Sequence, residues 1–150
     1  MNGLEQLYQQ VILDHSKRRI GDGFKNIAES DPHGESHQYN PTCGDEIRVR
    51  ATVADGRVTG LEWEGQGCSI SMASASVLTE LAVGEEREEF TQQIEAFRSV
   101  MRSRGTETPD EELLGDASAF AGVSKFPARV KCAMLAWVAA EDAVNQASHV

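Results

Sequence analysis

Residues 47–63 read IRVRATVADGRVTGLEW, and this stretch decides the fold. In its first half, apolar side chains alternate with Arg48, Arg50 and Thr52, which is the pattern of a strand with one face buried and the other in water. Asp55-Gly56 is a strong signal for a two-residue hairpin turn, because both residues tolerate the positive φ angles of such a turn. The stretch therefore predicts a β-hairpin.

The returning strand of this hairpin carries Leu61 and Trp63 on its apolar face. Val58 is out of phase with these two residues, so a bulge is expected near Gly60. A weaker β signal lies at residues 36–40, ahead of the hairpin. The expected sheet is therefore small and antiparallel, with about three strands.

Helical patterns precede and follow the predicted strands in the sequence. Apolar residues at positions 4, 7, 8, 11 and 12 follow helical spacing up to a stop near Gly21, and the polar residues after it read as irregular. Residues 65–68 read as a flexible loop that ends the sheet. Further helices are expected at residues 69–83 with Gly84 as the stop, at 85–104, within 109–115, and from Pro127 onward. This order predicts one two-layer α+β domain across residues 1–150, with the sheet packed against helices.

The composition restricts the classes of function. The 150 residues carry a net charge of −10, which disfavours nucleic acid and anionic membrane as partners and suits a partner with a basic patch. No apolar run approaches the ~20 residues of a membrane span, and the first residues do not read as a signal peptide. The expected location is therefore the reducing cytoplasm, where an odd set of three cysteines is not a disulfide framework.

The three cysteines have flanks that fit metal binding. Cys43 lies in a Pro- and Gly-bounded loop, Cys68 directly precedes a predicted helix, and Cys132 lies in the first turns of the last helix. A helix N-terminus favours a thiolate, and three thiolates with the carboxylate of Asp45 can complete a tetrahedral zinc site. The spacing alone leaves another interpretation open, because the chain has no CxxC pair and free cysteines are often small buried core residues. Asp45 taken alone reads as a turn residue.

Five motifs in the same order resemble the U-type iron–sulfur assembly proteins. They span nearly the whole chain and are LYQQVILDH at 7–15, NPTCGD at 40–45, GQGCSIS at 65–71, FPARVKC at 126–132 and LAW at 135–137. The resemblance is nearer to the SufU branch than to the IscU scaffold branch. The scaffold branch has a histidine directly before the last cysteine, where this chain has Lys131, and a chaperone motif in place of Phe126-Pro127-Ala128-Arg129. Residues 100–120 look like the insertion typical of SufU.

The resemblance implies a fold of the SufE/IscU type and a function in sulfur transfer. It implies that one Zn²⁺ per chain is bound by Cys43, Asp45, Cys68 and Cys132, and that the protein accepts persulfide sulfur from a SufS-type cysteine desulfurase. Cys43 is the expected acceptor, because its Gly-flanked loop can swing outward whereas Cys68 and Cys132 are anchored at helix starts. The protein would pass this sulfur to a SUF cluster scaffold complex, acting as a sulfurtransferase-like partner rather than a stand-alone enzyme. The alternative is a scaffold that holds transient iron or a [2Fe–2S] cluster on the same ligands.

Some neighbouring residues have simpler interpretations. His15 continues the apolar face of the first helix and is expected to be a packed histidine. His33 and His37 lie in polar segments and are expected to be solvated. Arg129, three residues before Cys132, is a surface charge or, equally, a cation that screens the anionic metal site. Lys131 is a second nearby cation that could offset the charge of this site.

Overall fold

The computed structural model describes residues 3–24, 33–42 and 44–148. Within these ranges the chain forms a three-stranded antiparallel sheet in the order β1-β2-β3, together with helices. The elements are α1 (Gly3–Arg18), β1 (His33–Asn40), β2 (Asp45–Ala54), β3 (Arg57–Gln66), α2 (Ser69–Ala82), α3 (Arg87–Arg102), α4 (Glu111–Leu114), a 3₁₀ segment (Gly115–Lys125) and α5 (Pro127–Ser148). The predicted α+β class is confirmed.

The β2–β3 hairpin has the predicted turn and the predicted bulge. Asp55 and Gly56 both have positive φ, at 52° and 75°, as a primed turn requires. The register then shifts, because Thr52 pairs with Gly60 whereas Val53 pairs with Val58. The extra residue between these pairs returns the apolar side chains of β3 to the buried face.

The buried face of the sheet packs against α5 and α2. Small residues let α5 approach β1 closely, since a Cβ at Gly34 would lie 2.1 Å from the carbonyl oxygen of Ala143. Behind this layer, the rings of Phe97 and Trp137 stack with centroids 4.0 Å apart and join α3 to α5. These contacts hold α5 against the sheet and α3 against α5.

The structure differs from the sequence prediction at three places. Residues 65 and 66 belong to β3 rather than to a flexible loop, and Gly65 is required by close packing, because a Cβ there would lie 2.5 Å from the carbonyl oxygen of Glu46. Strand β1 begins at His33, three residues before the weak β signal. The 3₁₀ segment was not predicted, since its small residues show no regular apolar period. Each difference depends on contacts between elements that the sequence does not show.

In the ranges that the structure describes, no helix is both long enough and apolar enough to cross a membrane.

Candidate metal centre

Three of the four predicted metal ligands converge at one end of the sheet. Asp45 is the first residue of β2, Cys68 is the N-cap of α2, and Cys132 lies in the second turn of α5. One ligand atom from each of the three lies within 4.8 Å of the other two. Cys43, the fourth predicted ligand and the predicted sulfur acceptor, lies outside the described residues, so both of its roles stay predictions.

The Asp45 carboxylate is fully buried, and a short hydrogen bond from an N–H or O–H group holds each of its two oxygens. Its Oδ1 accepts the backbone N–H of Cys68 at 3.0 Å, and its Oδ2 accepts the hydroxyl of Ser71 at 2.6 Å. Burial of a carboxylate is costly without such partners, and here the start of α2 adds a favourable helix dipole. Each oxygen keeps a lone pair that can bind a metal ion.

Gly67 makes room for this carboxylate. A Cβ at position 67 would lie 2.3 Å from Asp45 Oδ1, which is far inside van der Waals contact. The sequence suggested that Gly67 makes a loop flexible. In the structure, its lack of a side chain instead allows the carboxylate of Asp45 to approach closely. The Gly67-Cys68 pair therefore builds one wall of the site.

The two described cysteines differ in their exposure. Cys68 is exposed at the N-cap of α2, and its Sγ lies 3.9 Å from Asp45 Oδ2 and 3.5 Å from Ser71 Oγ. Cys132 is 3% exposed, and its Sγ lies 3.7 Å from the carbonyl oxygen of Ala128 in the first turn of α5. The site therefore has one sulfur at the surface and one in the interior.

The loop that carries Cys43 is tied at both ends. Asn40 accepts the N–H of Thr42 through its side-chain Oδ1 at 3.2 Å and the N–H of Gly44 through its carbonyl oxygen at 2.9 Å. Gly44 has φ +72°, a conformation that favours glycine. Asn40 and Asp45 are partners across the β1–β2 ladder, so this loop is a short connection that ends at a predicted ligand.

This set of donors fits zinc. Two convergent sulfurs and a carboxylate oxygen supply three donors of the type found in tetrahedral zinc sites, and Gly67 keeps the cradle open for the carboxylate. Arg129 and Lys131 are both exposed, and the Arg129 guanidinium lies over the ring of Phe126, 5.6 Å from its centroid. A role for these two cations in offsetting the charge of the site stays a prediction.

Sequence reasoning missed Ser71 as a member of this site. Ser71 is 2% exposed, and its hydroxyl lies between the carboxylate of Asp45 and the sulfur of Cys68. The one available signal was its position three residues after Cys68, on the same side of the first turn of α2.

A second group of titratable side chains brings His15, Glu80 and Asp116 together, with one ligand atom of each within 4.8 Å of the others. Ser76 Oγ accepts the N–H of Ile20 at 3.0 Å and lies at hydrogen-bond distance, 2.8 Å, from His15 Nδ1. On the other side of the ring, His15 Nε2 lies 3.0 Å from Asp116 Oδ2. His15 is 1% exposed, so the predicted packed histidine is confirmed.

A mainly apolar groove of about 730 Å³ borders the candidate metal centre. Its walls come from α1, the 3₁₀ segment and the starts of α2 and α5, and they include Ile70, two residues after Cys68, and Arg129, three residues before Cys132. The groove and the candidate metal centre therefore share the starts of α2 and α5.

Comparison with known proteins shows the family. Residues 7–133 match the NifU-like N terminal domain. The chain is 43% identical over 141 residues to a Bacillus subtilis protein named zinc-dependent sulfurtransferase SufU, with 94% of this chain and 91% of the relative covered. It is 34% identical over 149 residues to a Streptococcus pyogenes protein named iron–sulfur cluster assembly scaffold protein IscU, with 99% and 89% covered.

A solved structure from Fervidobacterium islandicum AW-1 superimposes with a TM-score of 0.76 at 30% identity, covering 93% of this chain and 97% of the other. That protein is described as a proposed iron–sulfur cluster assembly scaffold protein for the SUF system. The fold and the family together define the class: this is an iron–sulfur cluster assembly protein. The chain belongs to the NifU-like N-terminal domain family and is similar to SufU.

Proposed function

We propose that this protein is a zinc-dependent sulfur acceptor in SUF iron–sulfur cluster assembly. It takes the terminal sulfur of a persulfide on a SufS-type cysteine desulfurase and passes this sulfur to a SUF cluster scaffold complex. The observation that carries the proposal is the convergence of Asp45, Cys68 and Cys132. Cys43 is only two residues before Asp45 in the chain. The 43% identity to a relative named zinc-dependent sulfurtransferase supports it.

The residues proposed to hold one Zn²⁺ are Cys43, Asp45, Cys68 and Cys132. When bound, the ion keeps the thiolates deprotonated at neutral pH. Four ligands of −1 around a +2 ion leave a formal charge of −2, and the cations proposed to offset it are Lys131 and Arg129. These ligands span positions 43 to 132, so the site requires most of residues 1–150 to fold as one U-type domain.

The proposed acceptor is Cys43, because the other two cysteines are anchored in packed elements. Cys132 is buried in α5, and Cys68 is the first residue of the α2 turn that holds Asp45. In the transfer step, the Cys43 thiolate attacks the outer sulfur of the desulfurase persulfide. The sulfur–sulfur bond breaks, its electron pair stays on the desulfurase cysteine as a thiolate, and Cys43 becomes the persulfide. The step needs no external oxidant or reductant.

The experiment that tests this function measures desulfurase turnover. Purified SufS-type desulfurase and cysteine are incubated with wild type, with Cys43→Ala, or with Thr42→Ala, which alters an exposed neighbour in the same loop. Wild type and Thr42→Ala should raise the rate of alanine formation, and Cys43→Ala should not. If Cys43→Ala stimulates the desulfurase as wild type does, Cys43 is not the acceptor.

The second candidate function is that of a cluster scaffold, which the names of the Streptococcus pyogenes and Fervidobacterium relatives favour. The carboxylate of Asp45 makes this scaffold function the second choice, because a hard oxygen ligand suits an iron–sulfur cluster less well than thiolate or imidazole. A [2Fe–2S] cluster reconstituted on this chain should therefore be lost during gel filtration, and zinc should compete for its ligands. A cluster that survives and transfers intact to an apo-protein would place the scaffold function first.

A further inference from the structure

Ser71 contacts two of the proposed ligands at once. It lies three residues after Cys68, the N-cap of α2, and is 2% exposed. Its hydroxyl donates to Asp45 Oδ2 at 2.6 Å, and its Oγ lies 3.5 Å from Cys68 Sγ. These two contacts connect the carboxylate and the exposed sulfur of the site through one small side chain.

The start of α2 has an unusual cap that explains why this hydroxyl is available. In a capping box, the residue at the Ser71 position accepts the backbone N–H of the N-cap residue through its side chain. Here Asp45, from strand β2, accepts the N–H of Cys68, and Cys68 itself makes no side-chain cap bond. The Ser71 hydroxyl is therefore free to bond the carboxylate that has taken over its capping role.

The two hydrogen bonds to Asp45 fix the direction of its carboxylate. Oδ1 is held by the N–H of Cys68 and Oδ2 by Ser71, so rotation of the carboxylate breaks both bonds. Residues that hydrogen-bond to a metal ligand orient it, and their loss typically weakens metal binding by about 10–100-fold. Without the Ser71 bond, the carboxylate of Asp45 keeps the backbone N–H of Cys68 at Oδ1 and, at Oδ2, only the long contact with Cys68 Sγ at 3.9 Å.

We propose that Ser71 is a positioning residue of the metal centre, which holds the Asp45 carboxylate in its metal-binding orientation and aligns it with Cys68 before the ion arrives. The proposal rests on the zinc site of the proposed function, although it does not depend on sulfur transfer. It concerns binding by this chain alone, so it is tested without the desulfurase.

The test measures zinc affinity by competition with a chromophoric chelator. Ser71→Ala is compared with Ser124→Ala, a matched control in which another buried serine loses one hydrogen bond, to the carbonyl oxygen of Ala121. Ser71→Ala should bind zinc about 10–100-fold more weakly than wild type, and Ser124→Ala should bind as wild type does. Ser71→Thr, which keeps the hydroxyl, should recover most of the affinity.

Two further measurements separate positioning from a general loss of packing. The visible ligand-field bands of the Co²⁺-substituted protein should change in Ser71→Ala and not in Ser124→Ala. In the Asp45→Asn background, Ser71→Ala should have almost no further effect on zinc affinity, because Ser71 acts through Asp45. The proposal is overturned if Ser71→Ala binds zinc as tightly as wild type does, or if the effects of the two substitutions on zinc affinity add in the double variant. It is also overturned if the wild-type protein binds no zinc, and only this last result would also remove the zinc site of the proposed function.

Discussion

The buried carboxylate of Asp45 is accommodated because position 67 has no side chain. We predict that Gly67→Ala displaces the carboxylate, since its Cβ would lie 2.3 Å from Oδ1. Forced packing of this kind typically lowers the free energy of unfolding by about 1–3 kcal/mol. Zinc affinity should fall by about 10-fold or more as the ligand loses its orientation. Chemical denaturation and chelator competition measure the two effects.

Gly122→Ala is the control for this substitution. A Cβ at Gly122 would meet nothing within 4 Å, so the variant should keep both the stability and the zinc affinity of wild type. Equal behaviour of Gly67→Ala and Gly122→Ala would show that Gly67 does not shape the site.

Tyr8 provides a pH-dependent contact between α1 and α4. Burial, the hydrogen bond from its hydroxyl to Glu111 Oε1 at 2.6 Å and the negative charge of Glu111 raise the pKa of Tyr8 from 10.0 to about 12. Since the folded state favours the protonated phenol, this contact contributes its full stability below pH 10.0 and loses it as the pH rises towards 12. Glu111→Gln should lower the pKa of Tyr8, although burial keeps part of the shift.

The chain has two tyrosines, so the titration is measured by ultraviolet absorbance in Tyr39→Phe, where Tyr8 is the remaining phenol. Ionisation of Tyr8 near the ordinary value of about 10 in that variant would contradict the role of Glu111.

The site residues differ in how far the sequence could predict them. The Gly- and Pro-bounded cysteines and the family motifs indicated Cys68, Cys132 and Asp45, which the structure brings together. Ser71 and Gly67 were missed, because their roles consist of contacts with Asp45 across 22 or more residues of chain. A serine in a helix and a glycine after a strand have many structural uses, and only the position of their partner selects one.

Among the elements, α1 is held in place by the buried His15. Its ring connects Ser76 on α2 with Asp116 in the 3₁₀ segment. We predict that His15→Ala lowers the free energy of unfolding by about 2–4 kcal/mol, because it leaves a cavity and removes hydrogen-bond partners of Ser76 and Asp116. Urea denaturation followed by circular dichroism measures the change.

His37→Ala is the matched histidine control for this experiment. His37 is half exposed and pairs with the half-exposed Glu46 at 2.9 Å, so its loss should cost less than about 1 kcal/mol. Similar losses for the two variants would show that His15 is not a structural connection between the elements.

The elements that the sequence predicted best were those specified by local chemistry. The Asp55-Gly56 turn and the phase change at Val58 were sufficient to predict the hairpin and its bulge. The 3₁₀ segment could not be predicted, because its shape depends on packing against α1 and α3 rather than on an internal period. Gly65 was misread for a similar reason, since only the neighbouring strand shows that it is required for close contact.

At the scale of the whole molecule, the proposed ion connects the sheet to α2 and α5. We predict that zinc at 100 times its Kd stabilises wild type by about 2.7 kcal/mol, because the ion binds the folded chain. Cys132→Ala should lose this gain, while its zinc-free form should unfold within about 1 kcal/mol of zinc-free wild type. Thermal melts with zinc and with chelator measure both differences. A zinc-dependent gain that persists in Cys132→Ala would exclude Cys132 as a ligand.

The central claim is that Cys43 receives sulfur at a metal centre completed by Asp45, Cys68 and Cys132. The most direct measurement is to incubate the protein with a SufS-type desulfurase and cysteine, and then to map persulfides by mass spectrometry without reductant. The account predicts one additional sulfur on the peptide that contains Cys43, and none on this chain in Cys43→Ala. Additional sulfur on Cys68 or Cys132, with Cys43→Ala still accepting it, would contradict the account.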